Sequence, residues 1–446
     1  DDQIKLRGIR IEPTDIETTL TTHPTITTTR VIVHNQRLIA YYLSDAPEPA
    51  DADTLRAFAA RALPSHMVPA AFIRLDAFPL TPSGKLDKNA LPEPVLSASA
   101  GRPPSTERQR RLCELFTDIL GTPVDSVDAD FFELGGHSLL LVRLTSVLRR
   151  EFAGAADRVS VADLMVASTV AAVDDLLSGH SGGGARSFAP ALPLRTTGTA
   201  APLFCLPPAS GLGWPYAALK HVLPSDVPLY ALQSALFSGG QLPDDLASLA
   251  SDYADIVEQI APDGPVRLLG WSFGGVLALL AAQELRRRGR LIGMVAMLDS
   301  YPEVTEAGRV HDRDAVLARV LAEMGFPVDP EDRLTVEQAV ELMKEQGDAI
   351  TVLDDRHVAV AIENYIAAER FTADADYGHY DGDVFFVDAA EEVAQWGTAS
   401  PAWRRYIGGE LTAVSVPFRH SDLLDIAALE EYGPALVAML TRGDGS

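Results

Sequence analysis

The sequence predicts a multidomain protein of three globular pieces: a small α+β subdomain, a helical bundle and a larger α/β domain. Three observations carry that reading. The chain has 446 residues, and at roughly 100–200 residues per domain this length implies two to four domains. Two stretches lose all periodicity, Leu91 to Pro104, rich in Pro and small residues, and Ser178 to Ser187, with three consecutive glycines. Such composition suits tethers rather than packed chain. Around these breaks the apolar pattern changes from mixed strand and helix, to helix alone, to a regular alternation of strands and helices.

The first piece alternates short apolar strands, Thr29 to Val33 and Leu38 to Tyr42, with one amphipathic helix, Ala52 to Ala62. The second has three helical stretches, Thr106 to Leu120, Ser138 to Phe152 and Thr169 to Leu177, the first two with apolar residues at i, i+3, i+4 spacing. In the third, apolar strands at Leu203–Leu206, Leu229–Leu232, Val266–Gly270, Gly293–Leu298, Val384–Val387 and Leu411–Val416 alternate with helices. That is the pattern of a mostly parallel sheet covered on both faces.

Composition limits the function. With 37 basic against 62 acidic residues the formal net charge is −25, which disfavours nucleic acid and anionic membrane surfaces as partners. An apolar fraction of 47% excludes a disordered or collagen-like chain. The basic run Leu285 to Arg290 reads as an exposed helix end. Cys113 and Cys205 lie far apart with no C-x-x-C, so no zinc site, other metal or disulfide framework is expected, and the compartment is expected to be reducing. The absence of an apolar run of about 18 residues and of a signal-peptide core predicts a cytoplasmic chain. The N-terminal residue is Asp1 rather than Met, which suggests a piece of something larger.

The strongest chemical motif is Gly270-Trp271-Ser272-Phe273-Gly274, between the strand that ends there and the apolar helix Val276 to Leu285. A strand, a G-x-S-x-G turn and a helix make a nucleophile elbow, in which the glycines permit a strained turn and the serine meets the positive end of the helix. A serine hydroxyl needs a general base, and the base an orienting carboxylate, following in the order Ser, acid, His. Asp299 ends the next strand and Asp388 a later one; Asp299, one βα unit after the nucleophile, is favoured. His420 is the histidine that follows the last strand, and is favoured over His221, His311, His357 and His379. The loop Pro207-Pro208-Ala209-Ser210-Gly211 follows an early strand, so the amides of Ala209 and Phe273 are the expected oxyanion hole. Ser210 lacks a helix-capped elbow and is not expected to be a second nucleophile. Between Asp299 and Val384, helical patterns at Arg313–Met324, Val336–Glu345 and Val358–Phe371 predict a lid over the sheet. The third piece is thus expected to be an α/β-hydrolase domain with a helical lid.

In the helical piece, Asp130-Phe131-Phe132-Glu133-Leu134-Gly135-Gly136-His137-Ser138-Leu139-Leu140 runs from loop into helix. By physics alone Ser138 is an N-cap, although a helix start also suits an anionic phosphate ester. The segment resembles the attachment motif of peptidyl carrier domains, and residues 105–178 match their length and helix pattern. The resemblance implies a helical carrier bundle with 4'-phosphopantetheine covalently attached to Ser138.

The flanks are similar to the end of a nonribosomal peptide synthetase. Asp1 to Glu12 is similar to the passage into the small C-terminal subdomain of an adenylation domain, with Asp1 at the hinge. Leu80-Thr81-Pro82-Ser83-Gly84-Lys85-Leu86-Asp87-Lys88 is similar to its catalytic loop, with Lys85 as the lysine that contacts acyl and phosphate oxygens; on residue type alone Lys85 is an exposed surface lysine. Residues 1–97 would be that subdomain as a remnant without its ATP-holding part, so adenylation is not expected. Residues 200–446 resemble the thioesterase that ends such assembly lines. The resemblance implies that a peptidyl thioester passes from Ser138 to Ser272 and leaves by hydrolysis or macrocyclisation. It also implies as partners the N-terminal part of the adenylation domain, upstream synthetase domains and a phosphopantetheinyl transferase. A general esterase, a repair thioesterase and a non-catalytic carrier-docking scaffold remain alternatives, and the peptide itself is not readable.

Overall fold

The computed structural model describes residues 4–92, 101–179, 187–302, 355–392 and 398–442, with short gaps, and scattered residues between 317 and 342. In chain order the described elements begin with β1 (Ile4–Leu6), β2 (Ile9–Ile11), α1 (Pro13–Thr21), β3 (Thr28–His34), β4 (Arg37–Leu43), α2 (Ala52–Ala60) and β5 (Ala71–Leu75). Four helices follow: α3 (Glu107–Leu120), α4 (Ser138–Glu151), α5 (Val161–Val166) and α6 (Val170–Leu177). Then come β6 (Ala191–Arg195), β7 (Leu203–Leu206), β8 (Leu229–Leu232), α7 (Leu246–Ile260), β9 (Val266–Trp271), α8 (Phe273–Arg287) and β10 (Ile292–Leu298). The last are α9 (Asp355–Ala373), β11 (Val384–Ala389), β12 (Leu411–Val416) and α10 (Ile426–Arg442). The chain forms two compact units, one of residues 1–136, 168–175 and 220–226, the other of 137–167, 176–219 and 227–446.

The first unit contains a β1–β2 antiparallel pair and a three-stranded sheet in the order β3-β4-β5, with β3 antiparallel and β5 parallel to β4. Helix α1 departs from the expectation of a single helix. Its three β-branched Thr residues after Asp15 weaken the local signal. It forms because Ile16 and Leu20, one turn apart, are buried against Val31, Leu38 and Leu55. Glu17 on α1 also accepts the Val31 amide at 2.8 Å. Helix α3 starts at a Thr106–Gln109 capping box and stops at Gly121, whose φ is 67°. Buried Asp130 accepts the amides of Phe132 and Glu133 at 2.9 and 3.2 Å, Ser168 Oγ at 2.5 Å and Lys220 Nζ at 2.8 Å. Burial pushes this carboxyl's pKa up, but the Lys220 charge and the hydrogen bonds outweigh burial and hold it below the usual carboxylate range.

In the second unit, α5 is a six-residue helix hidden from periodicity by its length and set by a Ser160–Asp163 capping box. The main sheet has seven strands in the order β12-β11-β10-β9-β7-β8-β6. All neighbours pair in parallel except β6, which lies antiparallel on the edge beside β8. Pro193 masks β6 as a strand in the sequence; proline removes a ladder donor and is tolerated at an edge. Strands β7 and β11 are buried at every position and β9 at all but its last residue, whereas β12 at the other edge is partly exposed. Helix α8 carries ten buried residues between Gly274 and Leu285 and packs with α7 on the sheet. Arg267, 1% exposed on β9, donates to the carbonyls of Ala201 and Leu440 at 2.5 and 3.0 Å, fastening α10 to the sheet.

The expected helix Val358–Phe371 lies inside α9, while those at Arg313–Met324 and Val336–Glu345 fall largely outside the described residues. Among the described residues no helix is long and apolar enough to cross a membrane, and no cluster of His, Cys, Asp and Glu could hold a metal. Cys113 and Cys205 are both buried free thiols.

Candidate active site

Ser272 sits between β9, which lies between β10 and β7, and the first residue of α8. Its backbone holds φ 57° and ψ −129°, a left-handed region costly for a side-chain-bearing residue. The turn closes only because the flanking positions carry no side chain. A Cβ at Gly270 would lie 1.9 Å from the Gly274 carbonyl oxygen, and one at Gly274 would lie 2.4 Å from that of Leu206. The Ser272 amide donates to the Leu298 carbonyl at 2.9 Å, binding the elbow to the end of β10.

Asp299 follows β10 directly, with φ 45° and 2% exposure. Its amide donates to the Val387 carbonyl at 2.7 Å. Oδ1 accepts the Ala389 amide at 3.1 Å, and Oδ2 lies 2.8 Å from Nδ1 of His420. His420 occupies the short turn after β12, so the ends of the adjacent strands β9 and β10 deliver the serine and the carboxylate, and the end of β12, beyond β11, delivers the imidazole. An ionised carboxylate on Nδ1 requires the hydrogen there and leaves Nε2 as the basic nitrogen. The competing Asp388 is engaged elsewhere: its oxygens accept the Ser400 amide at 3.0 Å and Ser400 Oγ at 2.6 Å.

Of the other candidates, His357 stacks on Phe188 with ring centroids 3.8 Å apart, His379 is exposed beside Asp381 at 3.3 Å, His221 is buried in the first unit, and His311 lies outside the described residues. Ser210 is buried and its hydroxyl accepts the Leu212 amide.

Ala209 and Phe273 line one narrow cavity, whose walls come from the Pro207–Pro208 loop, Leu277 on α8, Leu249 and Tyr253 on α7, and Asn364 and Phe371 on α9. Among the described residues neither the Ala209 nor the Phe273 amide donates a hydrogen bond. Two features of this region have no signature in the sequence. Trp271 donates from Nε1 to the His420 carbonyl at 3.0 Å, and buried Tyr216 donates its hydroxyl to the Leu206 carbonyl at 2.6 Å while accepting the Trp271 amide at 2.8 Å. Both contacts are tertiary.

Ser138 is the first residue of α4. Lys85 is exposed on a turn closed by the Leu80–Leu86 bridge, where the Thr81 amide donates to the Lys85 carbonyl at 2.7 Å. Asp1 lies outside the described residues.

A largely parallel sheet with a strained serine turn between strand and helix, and an Asp–His pair on the following strand ends, defines an α/β-hydrolase. Residues 201–432 match the family model for a thioesterase domain. The chain belongs to the thioesterase domain family and is a hydrolase or acyl-transfer enzyme. Residues 110–177 match the phosphopantetheine attachment site and residues 15–85 the AMP-binding enzyme C-terminal domain. In this order they are the domains of the C-terminal part of a nonribosomal peptide synthetase module, with 4'-phosphopantetheine as covalent cofactor.

Relatives agree. The chain is 36% identical over 453 residues to a dimodular nonribosomal peptide synthase of Bacillus subtilis (strain 168), covering 99% of this chain and 19% of that protein. It is 33% identical over 457 residues to enterobactin synthase component F of Escherichia coli O157:H7, covering 99% and 34%. The chain thus spans about a fifth to a third of these two relatives. Among solved structures, holo-AB3403, a four-domain nonribosomal peptide synthetase bound to AMP and glycine, aligns over 100% of this chain and 34% of that one, with TM-score 0.50 and 27% identity. The cofactor fits the chain: Ser138 is the first residue of a 14-residue helix, and the start of a helix favours a phosphodiester through its first amides and its dipole.

Proposed function

We propose that this chain releases a peptide from its own carrier through a serine ester. Residues 1–97 are the C-terminal subdomain of an adenylation domain, to which Asp1 and Lys85 belong, residues 105–178 the peptidyl carrier, and residues 200–446 the thioesterase. Ser138 carries the phosphopantetheine arm, which supplies a thiol that holds the acyl group as a thioester. His420 Nε2 takes the proton of Ser272 Oγ as that oxygen attacks the thioester carbonyl carbon. Asp299 holds the imidazole in the required tautomer and stabilises its protonated form. The Ala209 and Phe273 amides receive the oxyanion. When the carbon–sulfur bond breaks, His420 returns its proton to the leaving sulfur, and the acyl group remains on Ser272. His420 then deprotonates either water or an amine or hydroxyl of the acyl chain itself as it attacks the ester carbonyl; the bond to Ser272 Oγ breaks, His420 returns the proton to that oxygen, and the product leaves as a free acid or a ring.

The observation that carries this reading is the 2.8 Å contact between Asp299 Oδ2 and His420 Nδ1, on strand ends beside an elbow whose serine is held at φ 57°. The cavity lined by Ala209 and Phe273 lies beside both of the proposed oxyanion donors. Partners follow from the same reading: upstream synthetase domains and a phosphopantetheinyl transferase, in the cytoplasm, with neither nucleic acid nor membrane. Incubation with synthetic peptidyl-pantetheine thioesters, with products identified by mass, tests it. The wild-type chain yields an acid, lactone or lactam, and Ser272→Ala yields none. Product from Ser272→Ala at the wild-type rate would overturn the assignment.

A further inference from the structure

Strands β7 and β9 pair in parallel up to Leu206 opposite Gly270. One residue later the two chains part, one toward Pro207-Pro208-Ala209 and the other toward Trp271-Ser272-Phe273. At that point the Trp271 amide donates at 2.8 Å to the hydroxyl of Tyr216, which itself donates at 2.6 Å to the Leu206 carbonyl. A side-chain hydroxyl thus bridges two backbones at the end of their ladder and holds them one oxygen apart. Tyr216 is fully buried, and burial pushes its pKa well above the ordinary phenol value, so it stays a neutral donor. The packing is tight, since a Cβ at Gly274 would lie 2.4 Å from the Leu206 oxygen and 3.0 Å from both the Pro207 oxygen and the Tyr216 hydroxyl.

We propose that Tyr216 is a positioning residue that sets the separation of the two oxyanion donors, Ala209 on one diverging chain and Phe273 on the other. The inference rests on the acyl-serine reading above. An oxyanion hole works only when both amides meet the same oxygen at about 2.7–3.1 Å, and Leu206 and Trp271, three and two residues before the donors, are the points at which that spacing can be fixed. Removing the hydroxyl leaves the Trp271 amide and the Leu206 carbonyl without their common partner, and the gap is then free to collapse into a direct ladder bond.

The test is Tyr216→Phe, with active sites titrated by an alkyl fluorophosphonate so that turnover is expressed per labelled serine. The expected result is a fall in kcat per labelled site of roughly tenfold to a hundredfold, with KM for the peptidyl-pantetheine thioester within about twofold. Affinity for an alkyl boronic acid, which mimics the tetrahedral adduct, falls by the same factor as kcat. A purely structural role would lower the labelled fraction and leave kcat per site and boronate affinity unchanged, and that outcome overturns the proposal. If Tyr216→Phe does not fold, replacing the Trp271 amide by an ester, which removes the N–H that donates to Tyr216 and keeps every side chain, is expected to show the same separation of kcat from KM, and unchanged kcat per labelled site there overturns it too. Ser272→Ala run in parallel separates the two failures. Turnover lost in Ser272→Ala but unaltered per site in Tyr216→Phe removes only the bridge's role, whereas turnover retained in Ser272→Ala removes the acyl-serine reading and the bridge's role with it.

Discussion

The indole Nε1 of Trp271 donates to the backbone carbonyl of His420 at 3.0 Å, and the two rings lie 5.3 Å apart. The residue that precedes Ser272 therefore also holds the loop carrying the His420 imidazole. Trp271→Phe keeps an aromatic contact but frees the carbonyl. A hydrogen bond of this kind contributes about 0.5–1.5 kcal/mol, so kcat should fall by roughly threefold to tenfold with little change in thermal midpoint. Steady-state kinetics on a peptidyl-pantetheine thioester, beside a melting curve, checks it.

The two candidate acids should separate cleanly. Asp299→Asn leaves His420 facing an amide and favours the wrong tautomer, which should lower kcat by roughly 10³–10⁴. Asp388→Asn touches only the hydrogen bonds to Ser400. It should leave kcat within about threefold and cost about 1–3 kcal/mol of stability, measured by urea denaturation.

Ser138→Ala should abolish loading by a phosphopantetheinyl transferase, read as the absence of the mass increase of the arm. The same variant should hydrolyse or cyclise a soluble peptidyl-pantetheine thioester at the wild-type rate, because Ser272, Asp299 and His420 are untouched. Loss of both activities would contradict the division of roles between the two serines.

Acid should weaken the C-terminal end of α8. Hydrogen bonds from Arg287, then from Arg288, hold Glu284 down at about 2 against burial. A folded-state value below the unfolded one means the stabilisation is complete above the unfolded value, about 4.3 for a glutamate, and disappears as pH falls from there toward 2. Glu284→Gln should therefore be less stable than wild type near neutral pH, and the difference in urea midpoint should vanish as the pH approaches 2.

Legibility varied with how local the determining physics is. The G-x-S-x-G turn declares itself because glycine is needed on both sides of a strained serine, and Asp299 and His420 stand out because each follows a strand end. Choosing between Asp299 and Asp388 is harder, since both follow apolar strands; Ser400, twelve residues beyond Asp388, is what engages the second. Tyr216 is invisible in the sequence, because a buried tyrosine looks the same whether its hydroxyl bridges two strands or caps one. Helix α1 and strand β6 are masked by threonines and a proline whose local preferences are overruled by the burial of Ile16 and Leu20 and by an edge position. The ionic bond between Asp130 and Lys220 joins residues ninety positions apart, and no periodicity reports it.

The backbone at Ser272 and Asp299 has a consequence for laboratory evolution. These are the two non-glycine residues with positive φ among the described residues, and such conformations cost about 1–3 kcal/mol each. Ser272→Gly should relieve the first, raising the melting temperature while removing the proposed nucleophile. A library of this chain selected for heat resistance alone would therefore be expected to drift toward glycine at position 272 and to deliver robust, inert protein, so every round of such selection needs turnover as a second gate.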